Sequence, residues 1–181
     1  KALLPLAGRP LLAHVTARVS PQLSQLSLNA NGDPARFAAF GLEVVADPLP
    51  DHPGPLAGVL AAMLWARELG AGRVFTLAAD TPFLPGDFVP RLLLQAEGCA
   101  GPVLAASRDD QGALRAHPTC GLWPVALHAD LQAWLERGER KMMLWAEGQG
   151  AELAEFPASR VDPFFNVNTP SDLARAEALL G

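Results

Sequence analysis

Asp80 closes an apolar run, Arg-Val-Phe-Thr-Leu-Ala-Ala over residues 73–79, and is followed by Thr81 and Pro82. An aspartate at the carboxyl end of a buried strand can hold Mg²⁺ beside a nucleotide phosphate. Mg²⁺ favours one or two carboxylates completed by phosphate oxygens and waters. The same triplet also makes a good turn, and on its own it divides evenly between the two readings. Two further strand-like runs end in polar residues. Residues 25–30 carry Asn29 and lead to Asn31, and residues 43–46 lead to Asp47.

Four other segments could bind or react. Asp51-His52-Pro53-Gly54-Pro55-Leu56-Ala57-Gly58 crosses from loop into helix. Its glycines would let a planar ligand approach backbone beside the free N–H groups of a helix start. A plain helix start with proline in the first turn is the better reading of the loop by itself, and neither Walker nor dinucleotide spacing is present. Arg137-Gly138-Glu139-Arg140-Lys141 is a basic cluster that suits a phosphate, or a solvated helix end. Phe165-Asn166-Val167-Asn168-Thr169 puts two amides on one side of an extended segment, where capping and turn formation are the simpler uses. His14 and His128 read as exposed helix residues, and His117-Pro118 precedes a strand that could lie near a site. Cys99 and Cys120 form no motif, so a reduced cytosolic chain is expected and a four-cysteine zinc site is excluded.

The elements that must position these groups alternate. Residues 10–19 predict a helix with Pro10 in its first turn and Leu11, Leu12, Val15 and Val19 on one face. A strand over 25–30, a helix begun by Asp33 and stopped by Gly41, a strand over 43–46, a helix over 55–69 closed by Gly70 and a strand over 73–79 follow. That order predicts βαβ units in a three-layer α/β/α sandwich with a mostly parallel sheet. Ligands of open α/β sheets bind at the carboxyl ends of the strands, where Asn29, Asp47 and Asp80 stand. The second half predicts strands over 102–106 and 118–123, a turn over 108–115 and a helix over 125–137. A short helix over 139–145, a strand over 151–156 and a last helix with Thr169 as N-cap, Pro170 next and Asp172 as capping acid complete it.

Composition bounds the chemistry. The chain has 181 residues, half of them hydrophobic, and a net charge of −5. This fits one domain with a large core and argues against general nucleic-acid or membrane-surface binding. The longest apolar run, residues 55–65, is short of the roughly 20 residues of a membrane span. Among 14 basic residues, Lys1 and Lys141 are the two lysines.

Taken in order, these motifs resemble the molybdenum cofactor guanylyltransferases of the nucleotidyltransferase fold group. The matching segments are Lys1-Ala2-Leu3-Leu4 with Leu6-Ala7-Gly8-Arg9-Pro10-Leu11, Asn29-Ala30-Asn31, Asp47, Pro53-Gly54-Pro55-Leu56-Ala57-Gly58, Asp80-Thr81-Pro82, His117-Pro118, Gly138-Glu139-Arg140-Lys141 and Asn166-Val167-Asn168-Thr169-Pro170. The family begins with a strand and a glycine-rich loop, and this chain starts at what resembles that motif's closing lysine. The resemblance therefore predicts an N-terminally truncated sequence, inactive or nearly so by itself, whose sheet lacks a strand.

The resemblance implies transfer of GMP from Mg-GTP to the terminal phosphate of molybdenum-molybdopterin, with release of pyrophosphate. It implies Mg²⁺ as cofactor, a cytoplasmic location, and molybdopterin-transfer proteins and molybdoenzyme chaperones as partners, with no nucleic acid or membrane. Lys1 and Asp80 would be catalytic, with Asp80 on the metal. Lys1, Asn29, Asp47, Pro55, Leu56, Ala57, Gly58 and Asp80 would bind the nucleotide. Arg140, Lys141, Asn166 and Asn168 would face the acceptor. Residues 1–100 would form a nucleotide-binding half and 101–181 an acceptor half of one domain. A CTP- or sugar-phosphate nucleotidyltransferase and a non-catalytic nucleotide-binding protein are the alternatives, separated from this reading by an upstream glycine-rich loop and by nucleotide preference.

Overall fold

The computed structural model describes residues 1–49, 54–157 and 161–180. Residues 51–53 of the loop motif lie outside this range.

The chain opens with a two-residue ladder, β1 (Pro5–Leu6) against β2 (Arg9–Pro10). Ala7 and Gly8 turn it with φ of 47° and 77°. Pro10 is therefore extended, and it caps α1 (Leu11–Val19) instead of forming its first residue. The expected face of α1, Leu11, Leu12, Val15 and Val19, is buried. β3 (Ser27–Asn29) pairs in parallel with β4 (Glu43–Val45). Between them Asp33 accepts from the Ala35 N–H at 2.9 Å, and the helical stretch Pro34–Phe40 is 3₁₀ rather than α. Gly41 closes it in the left-handed region at φ 64°.

Helix α2 (Pro55–Glu68) leads to β5 (Arg73–Thr76), then α3 (Phe88–Gln95), β6 (Val103–Arg108) and β7 (Leu114–Pro124). α4 (His128–Glu136), α5 (Met142–Gly148), β8 (Glu152–Glu155) and α6 (Pro170–Leu180) follow. The sheet order is β5-β7-β6-β8. β7 runs antiparallel to both neighbours and β6 runs parallel to β8, so this sheet is mixed. Helix α3 has no counterpart in the sequence reading. Pro90 stands in its first turn, where a missing N–H leaves no bond unmade, so a proline that looks like a breaker is tolerated.

Side chains alternate across the sheet. Val103, Ala105 and Leu122 pack on one face with Val19, Phe88 and Leu92. Leu104 and Trp123 pack on the other with Leu60, Met63, Leu131 and Trp145. This period of two sends neighbours to opposite layers and gives the three-layer α/β/α sandwich that the element order predicts. The β3–β4 pair is a separate sheet. Among the described residues, β3 pairs with β4 alone and β5 with β7 alone. A cavity of about 770 Å³ lies there, lined by residues of both, including Leu26, Leu28, Val74 and Phe75.

Candidate active site

β5 ends at Thr76, earlier than the predicted Ala79, and residues 77–79 lead on to Asp80. The Asp80 carboxylate is four-fifths buried and pairs with the Lys1 ammonium. The same ammonium donates to Asn168 Oδ1. Three residues separated by up to 167 positions thus share one point. The Val167 N–H donates to the Asp80 carbonyl at 3.0 Å, which ties the amide segment to the stretch that follows β5. Asn168 is held in turn by the start of α6. Asp172 Oδ2 accepts from the Asn168 and Thr169 N–H groups at 3.0 and 2.8 Å, and the Asp172 N–H donates to Thr169 Oγ1 at 3.1 Å. This is the capping box that the sequence predicts. The Thr169 hydroxyl and these N–H groups hold the Asp172 carboxyl below the usual carboxylate range.

A second cluster joins the ends of β3 and β4. Asn29 Nδ2 donates to the Val45 carbonyl at 3.0 Å and to Asp47 Oδ1 at 2.9 Å. Asn31 Nδ2 donates to Asp47 Oδ2 at 2.8 Å, and Asn31 Oδ1 accepts from the Asp47 N–H at 3.0 Å. Both N–H groups of Asn29 are engaged, which fixes the amide and leaves Oδ1 as an acceptor. That oxygen lies against α2, since a Cβ on Gly58 would stand 2.6 Å from it. Gly54, at φ 94° and ψ −161°, adopts a conformation open almost only to glycine. Asn29, Asn31, Asp47, Gly54, Pro55 and Gly58 line one end of the large cavity. Leu56 and Ala57 do not line it. Their side chains are in the core, at 1% and 0% exposure, so of these two only backbone could face a nucleotide.

The structure separates the acceptor-side residues. Asn168 belongs to the Lys1–Asp80 point, whereas Asn166 lines a second cavity of about 280 Å³ with Thr81, His117, Pro118, Thr119 and Phe164. Thr119 lines both cavities, so they adjoin. Arg140 Nη1 donates to the Leu135 and Glu139 carbonyls, both at 2.8 Å, and caps the end of α4. Lys141 is exposed, and no hydrogen bond or ion pair joins either residue to Asp80 among the described residues.

Sequence reasoning passed over the surroundings of His117. Along β7 the register slips from Leu104↔Gly121 to Ala105↔His117, so three residues, Pro118, Thr119 and Cys120, bulge out of the ladder. A proline inside a central strand is tolerated only at such a bulge, and that was the available signal. The other histidines differ from expectation. His14 bonds the Leu6 carbonyl at 2.9 Å, and His128 lies between the Val125 carbonyl and Arg67. Both are half-buried, because each finds a partner one turn or one element away. Cys99 and Cys120 are free and buried, and burial pushes the Cys120 thiol up to about 11. No described group of three or more His, Cys, Asp and Glu converges to hold a metal by itself, and no described helix is long and apolar enough to cross a membrane.

Comparison with known proteins adds to this geometry. The family model described as a MobA-like NTP transferase domain matches residues 1–151. A molybdenum cofactor guanylyltransferase of Cereibacter sphaeroides is 50% identical over 181 residues, covering 99% of this chain and 88% of its own. One of Rhodopseudomonas palustris (strain BisB5) is 46% identical over 183 residues, covering 99% and 85%. Among solved structures, the molybdopterin-guanine dinucleotide biosynthesis protein A of Archaeoglobus fulgidus superimposes with a TM-score of 0.71 at 24% identity, over 99% of this chain and 90% of that one. A CMP:2-keto-3-deoxy-manno-octonic acid synthetase complexed with CTP superimposes with a TM-score of 0.76 at 16% identity, over 99% and 91%. These last two likenesses speak to the fold.

Proposed function

The chain belongs to the MobA-like NTP transferase family and is a nucleotidyltransferase, and on that footing we propose that it transfers GMP from GTP to molybdenum-molybdopterin in the cytoplasm. The terminal phosphate of the acceptor attacks the α-phosphorus of GTP, the α–β bridging bond breaks, and pyrophosphate leaves with the electron pair. The attacking phosphate oxygen is already a nucleophile. Positioning and charge neutralisation therefore carry the rate.

The observation that carries this reading is the convergence of Lys1, Asp80 and Asn168, with Ala79, the residue before Asp80, lining the same cavity as Asn29 and Asp47. A carboxylate and an amide oxygen turned on one cation suit a hard divalent ion, and the Lys1 ammonium takes that part here. Asp80 and Asn168 would hold Mg²⁺, which when bound neutralises charge on the phosphates. Lys1 then contacts phosphate oxygens of GTP. Asn29 and Asp47 hold the nucleoside, with Asn29 Oδ1 accepting from a ring or amino N–H of guanine, and Gly54, Pro55 and Gly58 keep the approach open. Backbone of Leu56 and Ala57 completes that turn. Arg140, Lys141 and Asn166 face the molybdopterin, and molybdopterin-transfer proteins and molybdoenzyme chaperones deliver and collect the cofactor.

Calorimetry of GTP against CTP on the full-length protein tests the base assignment. A GTP affinity at least tenfold higher is expected, and equal affinities would overturn it.

A further inference from the structure

The second cavity is built rather than incidental. It stands where β7 loses three residues from its ladder, and bulges of this kind re-aim side chains beside active sites. The His117 ring stacks on Phe164, with centroids 4.5 Å apart and planes at 28°. Its Nε2 lies 2.7 Å from Ser107 Oγ, and that hydroxyl donates to Asp162 Oδ1 at 3.0 Å. Ser107, the middle member, is 2% exposed, while His117 is half-buried and Asp162 is exposed. The single hydroxyl proton goes to the carboxylate, so Ser107 Oγ must accept from Nε2–H. The neutral ring is then protonated on Nε2 and carries its lone pair on Nδ1. Nδ1 makes no hydrogen bond among the described residues, while His117 lines the cavity with Asn166.

Resting on the guanylyltransferase reading above, we infer that His117 is a specificity residue for the acceptor: its Nδ1 accepts a hydrogen bond from a ring-edge N–H of the pterin, with Ser107 and Asp162 as positioning residues that fix the tautomer. Three observations carry this. The cavity shares Thr119 with the nucleotide cavity and is lined by Thr81, the residue after Asp80, which sets it between the nucleotide cavity and the proposed metal site. Its volume, about 280 Å³, is just below the roughly 300–1,000 Å³ of pockets for whole drug-sized ligands, and suits a single flat heterocycle. The amide of Asn166 and the lone pair of His117 together match a ring edge that alternates donors and acceptors.

The test measures binding of 6-hydroxymethylpterin monophosphate and of GTP, separately, to the full-length protein. His117→Gln keeps a donor toward Ser107 but lacks the acceptor at Nδ1, whereas His117→Asn places an amide oxygen near the Nδ1 position. His117→Gln should weaken the pterin phosphate by about tenfold, the scale of one hydrogen bond, and His117→Asn should recover part of the loss. Ser107→Ala should weaken it several-fold and shift the pH profile of pterin binding. GTP affinity should stay unchanged in all three, which also shows that each variant is folded. Pterin affinity unchanged in His117→Gln with GTP still bound, or absent in the parent protein that binds GTP, would overturn this inference alone. A parent protein that binds neither ligand would overturn both readings.

Discussion

The amide oxygen of Asn29 stands 2.6 Å from the place a Cβ on Gly58 would occupy. Only hydrogen at this position of α2 lets the β3 amide close on the helix while keeping both N–H groups on Val45 and Asp47. Gly58→Ala should therefore push Asn29 off Asp47 and weaken GTP binding by about tenfold or more. Alanine gains about 1 kcal/mol of helix propensity over glycine, so thermal stability should hold or rise. Calorimetry and thermal melts on the same sample check this. The expected pattern is lost affinity without lost stability.

Asp47→Asn is a sharper probe of the same cluster. Both carboxylate oxygens accept from amides, Asn29 on one and Asn31 on the other. An amide at position 47 turns its own NH₂ toward at least one of these donors. The nucleoside should bind at least tenfold more weakly, with the acceptor's affinity unchanged, by paired titrations of GTP and the pterin phosphate.

This cluster also shows how much the sequence disclosed. Asn29, Asp47 and Asp80 were legible because each follows a strand-like run, and the carboxyl edge of an α/β sheet is a physical rule rather than a guess. That Asn168 would meet Lys1 and Asp80 was not readable from spacing, since the contact joins opposite ends of the chain. Leu56 and Ala57 were placed at the nucleotide by their neighbours, but the apolar face of α2 carries their side chains into the core. The β1–β2 ladder escaped because two-residue strands have no period to detect. Ser107 and Asp162 escaped because nothing local ties them to His117, 10 and 45 residues away in the chain.

Asp80→Asn should leave the fold intact and remove turnover. The carboxylate balances the Lys1 ammonium and is the proposed metal ligand. Losing a metal ligand costs several kcal/mol of transition-state stabilisation, a rate loss of roughly a thousandfold. Steady-state rates at saturating Mg²⁺ decide this, and near-normal turnover would remove Asp80 from the metal.

Arg140→Ala and Lys141→Ala should part company. The Lys141 ammonium makes no hydrogen bond or ion pair within the described residues, so its loss should raise the KM for molybdenum-molybdopterin and leave that for GTP alone. Arg140 also closes the end of α4, so its loss should in addition lower the melting temperature by about 2–4 °C. A rise in the GTP KM only, in both variants, would place this cluster elsewhere.

Burial holds the His117 imidazole below its ordinary value of 6.5, with the Asp162 charge opposing the shift. The unfolded chain therefore takes up this proton more readily than the folded one, and stability falls as protons become available. The contribution is intact above about pH 6.5 and is lost as pH falls below it. Melts from pH 8 to 5 should show a decline that His117→Gln flattens, since glutamine does not titrate.

Pyrophosphate release by the full-length protein tests guanylyl transfer most directly. Each of the four nucleoside triphosphates is supplied in turn with molybdenum-molybdopterin and Mg²⁺. Pyrophosphate is expected with GTP, dependent on the acceptor, and at most a few per cent of that rate with ATP, CTP or UTP. Equal rates with CTP, or no release with any of the four, would contradict guanylyl transfer.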